Sequence, residues 1–213
     1  MTVRPLETDL PADLLPSLQR GTLRSVYRGV PCLKSPFDLA LYLQLFSRQT
    51  PRTVFEVGTK FGGSALWFAD TMHAHGVEPR VVSVDIRPPT DFSDPRISLL
   101  KGEAQRLADV LTPEMLALPK PWLIVEDSSH LRADSLAVLD FFDPHLESGD
   151  YIVIEDGVVA FMGPAYDKYE QGPTRAVEDF LARRGADYRL DDSLCDHFGR
   201  NVTYNPNGWL KRL

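Results

Sequence analysis

The chain has 213 residues, 43% hydrophobic and 25% charged, with a formal net charge of −7, enough for one α/β domain with a substantial core. The acidic balance and the lack of any Lys/Arg run beyond two residues exclude nucleic-acid binding through phosphate neutralisation. No apolar stretch approaches the ~20 residues that span a bilayer, and the opening MTVRPLETDLPADLL lacks the basic and apolar regions of a signal peptide.

In chain order, residues 1–34 read as an irregular arm with a short helix over about 10–18, preceding a domain that spans 35–213. Ser35, Pro36 and Asp38 form a helix start, with the cap, the first position and the third in place. The helix that follows, to Arg48, is apolar on most faces and is predicted to pack on a sheet or on a partner chain, which hints at a homo-oligomer such as a dimer. A strand then ends in Val57–Gly58, and a helix is predicted over 62–74. Further strands are expected over 80–85, 97–100, 122–125 and 151–154, and helices over 104–111 and 132–142. After an irregular stretch, 157–171, come a helix over 173–184 and two closing strands, 188–190 and 201–210, as an antiparallel pair. Cys32 and Cys195 have no metal or redox spacing and are expected as free thiols in a reducing cytoplasm.

Alternation of strands and helices predicts an α/β, Rossmann-like fold, a mostly parallel sheet with helices on both faces. Ligands of such sheets bind outside the carboxyl ends of the strands, where Gly58, Asp85, Glu103, Asp127, Glu155 and Asp156 all fall. In the turn TVFEVGTKFGGS, glycines let the backbone approach a ligand closely and the helix start offers free N–H groups. The spacing Gly58-x-x-x-Gly62-Gly63 is not the dinucleotide pattern and favours another nucleoside, such as S-adenosylmethionine (SAM). Glu56, Gly58, Gly62 and Ser64 are candidate cofactor contacts; Asp85 is placed for a ribose diol, and Glu103 and Asp127 lie on the same edge.

Asp127, Glu155 and Asp156, from adjacent strand ends, are candidate ligands of one hard cation, Mg²⁺ first and Mn²⁺ or Ca²⁺ next. His130, one turn beyond Asp127, can face the same pocket as a general base. The stretch GVVAFMGPAYDKYEQ is a candidate lid, with Tyr166 or Tyr169 closing over a substrate.

The segments EVGTKFGGSALWFA, EDSSH, YIVIED, GPTRAVEDFL and NPNGWLKRL, in that order, resemble the cephalosporin hydroxylase and rhamnosyl O-methyltransferase family. The resemblance implies a class I methyltransferase fold with a seven-stranded sheet, SAM as methyl donor, and a divalent metal on Asp127, Glu155 and Asp156, with His130 as base. It implies Glu56 and Gly58 at the methionine end of SAM, Asp85 at the ribose and Glu103 at the adenine, although Ala104 stands where relatives often carry serine. The compact form is similar to small actinobacterial members that methylate mannosides. The expected reaction is therefore methylation of a sugar hydroxyl. Rival readings are a catechol or antibiotic scaffold as acceptor, a nicotinamide-dependent oxidoreductase, and a non-catalytic SAM-binding subunit.

Overall fold

In the computed structural model, which describes residues 4–213, a seven-stranded sheet carries helices on both faces. The first three residues of the expected arm lie outside the described residues. The arm holds helix α1 (Leu15–Thr22) and a small hairpin, β1 (Val26–Tyr27) and β2 (Val30–Pro31). The hairpin turns at Arg28 and Gly29, both at positive φ, as a two-residue turn between twisted strands demands. Helix α1 starts five residues later than the sequence suggested, at Leu15, with Pro16 in its first turn, where a missing N–H costs nothing.

Helix α2 (Pro36–Arg48) begins as predicted: Ser35 Oγ accepts the Asp38 N–H at 3.2 Å. Its apolar residues Leu41, Tyr42, Leu45 and Phe46 are all buried against its own sheet, and Leu43 remains exposed. The sheet order is β5-β4-β3-β6-β7-β9-β8, with β3 (Thr53–Val57), β4 (Val81–Asp85), β5 (Ile97–Lys101), β6 (Trp122–Glu126) and β7 (Tyr151–Ile154) parallel. The last two strands, β8 (Tyr188–Leu190) and β9 (Trp209–Arg212), pair antiparallel, and β9 inserts beside β7. One face of the sheet is covered by α2 and α3 (Gly63–Ala74), the other by α4 (Arg132–Phe142) and α5 (Gly172–Arg184).

Three further elements differ from expectation. The stretch 104–111 forms only a 3₁₀ segment, Ala104–Asp109, broken at Arg106; a segment this short, with Pro113 close behind, cannot recover the cost of nucleating a helix. The closing strand begins at Trp209 rather than near 201, because 201–208 is a turn with Asn201 and Asn207 at positive φ. Those asparagines satisfy each other: Asn201 Nδ2 donates to Asn207 Oδ1 at 3.1 Å, and the Asn207 N–H donates to Asn201 Oδ1 at 3.0 Å. A one-turn helix, α6 (Asp192–Cys195), was not anticipated. Among the described residues no helix is long and apolar enough to cross a membrane. Both cysteines are free and buried.

Candidate functional site

The sheet order reverses between β3 and β6, whose carboxyl ends open a crevice there. A cleft of about 870 Å³ occupies it, lined among others by Gly58, Ser64, Asp85, Glu103, Asp127, His130 and Asp156. Gly58 has φ +104°, and a Cβ there would stand 2.0 Å from the Asp127 carbonyl oxygen. The turn after β3 and the turn after β6 therefore touch backbone to backbone. Gly58→Ala is expected to cost about 2–4 kcal/mol, read as a lower urea midpoint; an unchanged midpoint would contradict this close approach.

Around the cleft, the Asp85 carboxylate accepts the backbone N–H groups of Lys60 at 2.8 Å and Arg87 at 2.7 Å. That fixes the β3–α3 turn against the end of β4. Glu103 is exposed on the same wall. Gly62 caps α3 in the left-handed region, with Phe92 where its Cβ would be. Glu56 does not line the cleft. Fully buried, it accepts the hydroxyls of Ser64 and Ser83 and stands one layer behind; burial pushes its carboxyl up, against the pull of Lys34.

After β6, Glu126 points inward and accepts Ser135 Oγ at 2.7 Å and the Ser128 N–H at 3.1 Å. It thereby shapes the Asp-Ser-Ser-His turn from beneath. His130 has φ +61° and Asp156 φ +56°, left-handed backbone that costs of order 1–3 kcal/mol in a non-glycine residue. The start of α5 is pressed against the His130 carbonyl, 2.3 Å from where a Gly172 Cβ would lie. The Asp156 N–H donates to Asn205 Oδ1 at 3.1 Å.

These supports bring Asp127, His130 and Asp156 together, with one ligand atom from each within 4.8 Å of the others. His130 Nδ1 lies 3.3 Å from Asp156 Oδ2. Burial and the Asp127 charge push the Asp156 carboxyl up to about 6, against the pull of His130 and Lys34.

Glu155 is not in this cluster. The expected triad of acids facing one ion is corrected here: Glu155 is buried, and its two oxygens are taken by the Lys34 ammonium and by Tyr42 Oη, at 2.5 Å. Successive residues at a strand end point to opposite faces, so Glu155 turns into the core where Asp156 turns to the cleft. Lys34 also reaches Asp127 Oδ2 at 2.6 Å. Burial alone would lower the lysine, but Asp127 and Glu155 outweigh it and hold its pKa well above the usual value.

Lys34 was missed in the sequence because it lies in the arm, 93 positions from Asp127. Its one signal was a lysine directly before a helix cap, in LKSPFD. Lys34→Met is expected to cost about 3–5 kcal/mol, the penalty for leaving a buried charge without its partner; a thermal midpoint equal to wild type would show that the two carboxylates need no counter-ion.

The two tyrosines of the expected lid do not line the cleft. They sit on a 3₁₀ segment, Pro164–Tyr169. Tyr169 packs edge-on against the His130 ring, with centroids 5.1 Å apart. Tyr166 faces a separate pocket of about 270 Å³ with Asp167, Gln171 and Arg175. Tyr169 thus buttresses the imidazole.

Comparison with known proteins bears on this arrangement. Residues 21–213 match the family described as Rhamnosyl O-methyltransferase/CmcI. The Rhamnosyl O-methyltransferase of Mycobacterium leprae (strain TN) is 31% identical over 193 residues, covering 88% of this chain and 83% of that one. That of Mycobacterium tuberculosis (strain ATCC 25618 / H37Rv) is 29% identical over 195 residues, covering 89% and 78%. Among solved structures, one described as "CmcI-N160 apo-structure" superposes with a TM-score of 0.69 at 25% identity, covering all of this chain and 88% of that one. One described as "cmcI-D160 Mg-SAM" gives a TM-score of 0.67 at 24% identity over the same shares of the two chains. The fold is that of class I methyltransferases.

Proposed function

The chain belongs to the Rhamnosyl O-methyltransferase/CmcI family of O-methyltransferases, and from that premise we propose that it transfers the methyl group of SAM to a hydroxyl of a glycoside, assisted by Mg²⁺. The observation that carries this reading is the gathering of Asp127, His130 and Asp156 at the cleft that Gly58, Asp85 and Glu103 also line.

The residues fit both groups. Three carboxylates, Asp127, Glu155 and Asp156, and one ammonium, Lys34, leave a formal charge of −2, which a dication balances. Carboxylate oxygens suit a hard ion that keeps several waters. For the nucleoside, the size of the cleft, with Gly58 and Asp85 in its lining, suits a ligand of this class. When bound, SAM supplies an electrophilic methyl on sulfonium, and Mg²⁺ acidifies and orients a hydroxyl.

The chain's own residues do the rest. Asp127 and Asp156 would hold the ion; Glu155 would join them only by giving up Lys34. Asp156 keeps the Nδ1–H of His130, leaving Nε2 to take the proton from the acceptor hydroxyl as the methyl is transferred in line. The floor built on Gly58 and Asp85 fixes the donor, so that orientation supplies much of the acceleration. A mass-shift screen of rhamnosides and mannosides with SAM and Mg²⁺ tests this: a gain of one methyl that EDTA abolishes is expected. Full turnover in EDTA would remove the metal from the reaction, and methylation of catechols in place of glycosides would replace the acceptor class.

A further inference from the structure

The turn Asn205-Pro206-Asn207-Gly208, which opens the segment NPNGWLKRL, does not line the cleft, yet it grips the strand end that carries Asp156. Alternate N–H groups of that strand end donate to it: Ile154 to the Gly208 carbonyl at 2.9 Å, Asp156 to Asn205 Oδ1 at 3.1 Å, and Val158 to the neighbouring Tyr204 carbonyl at 2.9 Å. On the opposite side the Glu155 N–H donates to the Glu126 carbonyl at 2.9 Å. Strand β7 stops at Ile154, and the turn goes on pairing the chain beyond it. A Cβ on Gly208 would stand 2.2 Å from the Ile154 carbonyl oxygen, so only glycine lets the turn come this close.

Two of these acceptors are backbone carbonyls. The third is a side chain, and it serves the residue that bends out of the strand, Asp156 at φ +56°. Asn205 is itself held firmly. It is 1% exposed, its N–H donates to Thr203 Oγ1 at 2.9 Å, and its carbonyl accepts the Gly208 N–H at 2.9 Å. Thr203 Oγ1 in turn donates to the Asp38 carboxylate, which also takes the Ser35 hydroxyl and the Tyr204 N–H, the latter at 3.1 Å. The start of α2 therefore anchors the turn, and the turn anchors Asp156. Among the described residues Asn205 Nδ2 is buried without a partner. An amide kept only for packing carries that cost for nothing, where leucine would fill similar space without it. Its oxygen is the half in use.

We propose that Asn205 is a positioning residue: by accepting the Asp156 N–H it holds that residue in left-handed backbone, which keeps the Asp156 carboxylate on the Nδ1 side of His130 and beside Asp127. This rests on the reading of Asp127, His130 and Asp156 given above, and it names what sets their geometry from behind the cleft. Left-handed backbone is costly in aspartate, and the Asn205 bond is what offsets it. Without that bond Asp156 relaxes toward extended strand. Its carboxylate then leaves the imidazole, now 3.3 Å away, and the place where the three ligand atoms lie within 4.8 Å of one another. Groups that orient a metal's ligands commonly change its affinity about 10–100-fold when removed.

The test uses Asn205→Leu and Asn205→Ala, either of which removes the acceptor, and Asn207→Ala as a control that breaks the pairing of Asn201 with Asn207 on the same turn. Two quantities are read: Mg²⁺ affinity by calorimetry, and the nitrogen that carries the proton of neutral His130, from ¹⁵N NMR at about pH 8. Wild type is expected to bind Mg²⁺ and to carry the proton on Nδ1. Each Asn205 variant is expected to bind Mg²⁺ about 10–100-fold more weakly and to lose the preference for Nδ1. Asn207→Ala is expected to lower the thermal midpoint and leave both readings at wild type. Wild-type readings in a folded Asn205 variant overturn the proposal. So does the same loss in Asn207→Ala, which would make the effect a general loosening of the turn, and so does failure of both Asn205 variants to fold. A wild type that binds no Mg²⁺ removes the metal from the reading above, while the His130 signal of the same samples still decides Asn205. A wild-type His130 protonated on Nε2 overturns the proposal as well.

Discussion

Replacing His130 by alanine is expected to lower turnover by about 10²–10⁴-fold, the range for loss of a general base, with little change in SAM affinity. The imidazole is held by two contacts that do not depend on substrate, Asp156 at 3.3 Å from Nδ1 and Tyr169 edge-on to the ring, and the start of α5 at Gly172 lies against the His130 backbone carbonyl. A group fixed that firmly has its geometry ready before the acceptor arrives, so its removal acts on kcat more than on KM. His130→Gln keeps a polar side chain of similar reach without the basicity and should be nearly as slow. A wild-type rate for either variant near neutral pH would exclude this base.

Removing the Asp127 carboxylate is expected to abolish cation binding and metal-dependent turnover together, while SAM still binds. Asp127→Ala takes one of the two acids grouped with His130 and also strips Lys34 of a partner at 2.6 Å. The change then leaves one ammonium beside Glu155 and Asp156, and the net charge that attracts a dication falls by one unit. Calorimetry with Mg²⁺ or Mn²⁺ alone separates this from a purely kinetic defect; cation affinity equal to wild type would show that the ion binds elsewhere.

The pH dependence of cation binding follows from Asp156, whose carboxyl is pushed up to about 6. A carboxyl raised above its unfolded value favours the folded state while protonated, and that contribution is lost as pH rises through about 4 to 6. Cation affinity should therefore weaken below about pH 6, where protons compete for Asp156, and added Mg²⁺ should raise the thermal midpoint at pH 8 more than at pH 5. The opposite order would show that Asp156 is not a ligand.

Much of the fold was legible in the chain because its strands are short apolar runs that stop at glycine or an acid. The stretches 132–142, 151–154 and 188–190 form the elements expected of them, bounds included. The site was legible to the extent that topology alone places it. Asp85, Glu103, Asp127 and Asp156 lie at strand ends on one edge, and all line the cleft. The tyrosines of 157–171 misled because aromatic residues in an irregular segment look alike whether they cover a ligand or, like Tyr169, brace a neighbouring ring, here that of His130.

By itself the sequence determined the alternation of strands and helices, the glycine turn after β3 and the acidic edge, since each depends on local pattern and period. Tertiary structure decided which acids face the cleft. Glu155 and Asp156 are neighbours in the chain, yet one is buried against Lys34 and Tyr42 while the other, in left-handed backbone, meets His130. It also decided that a lysine from the N-terminal arm meets the acids of the site. Long side chains and docked segments meet through packing between residues far apart in sequence, and no local pattern records such a meeting.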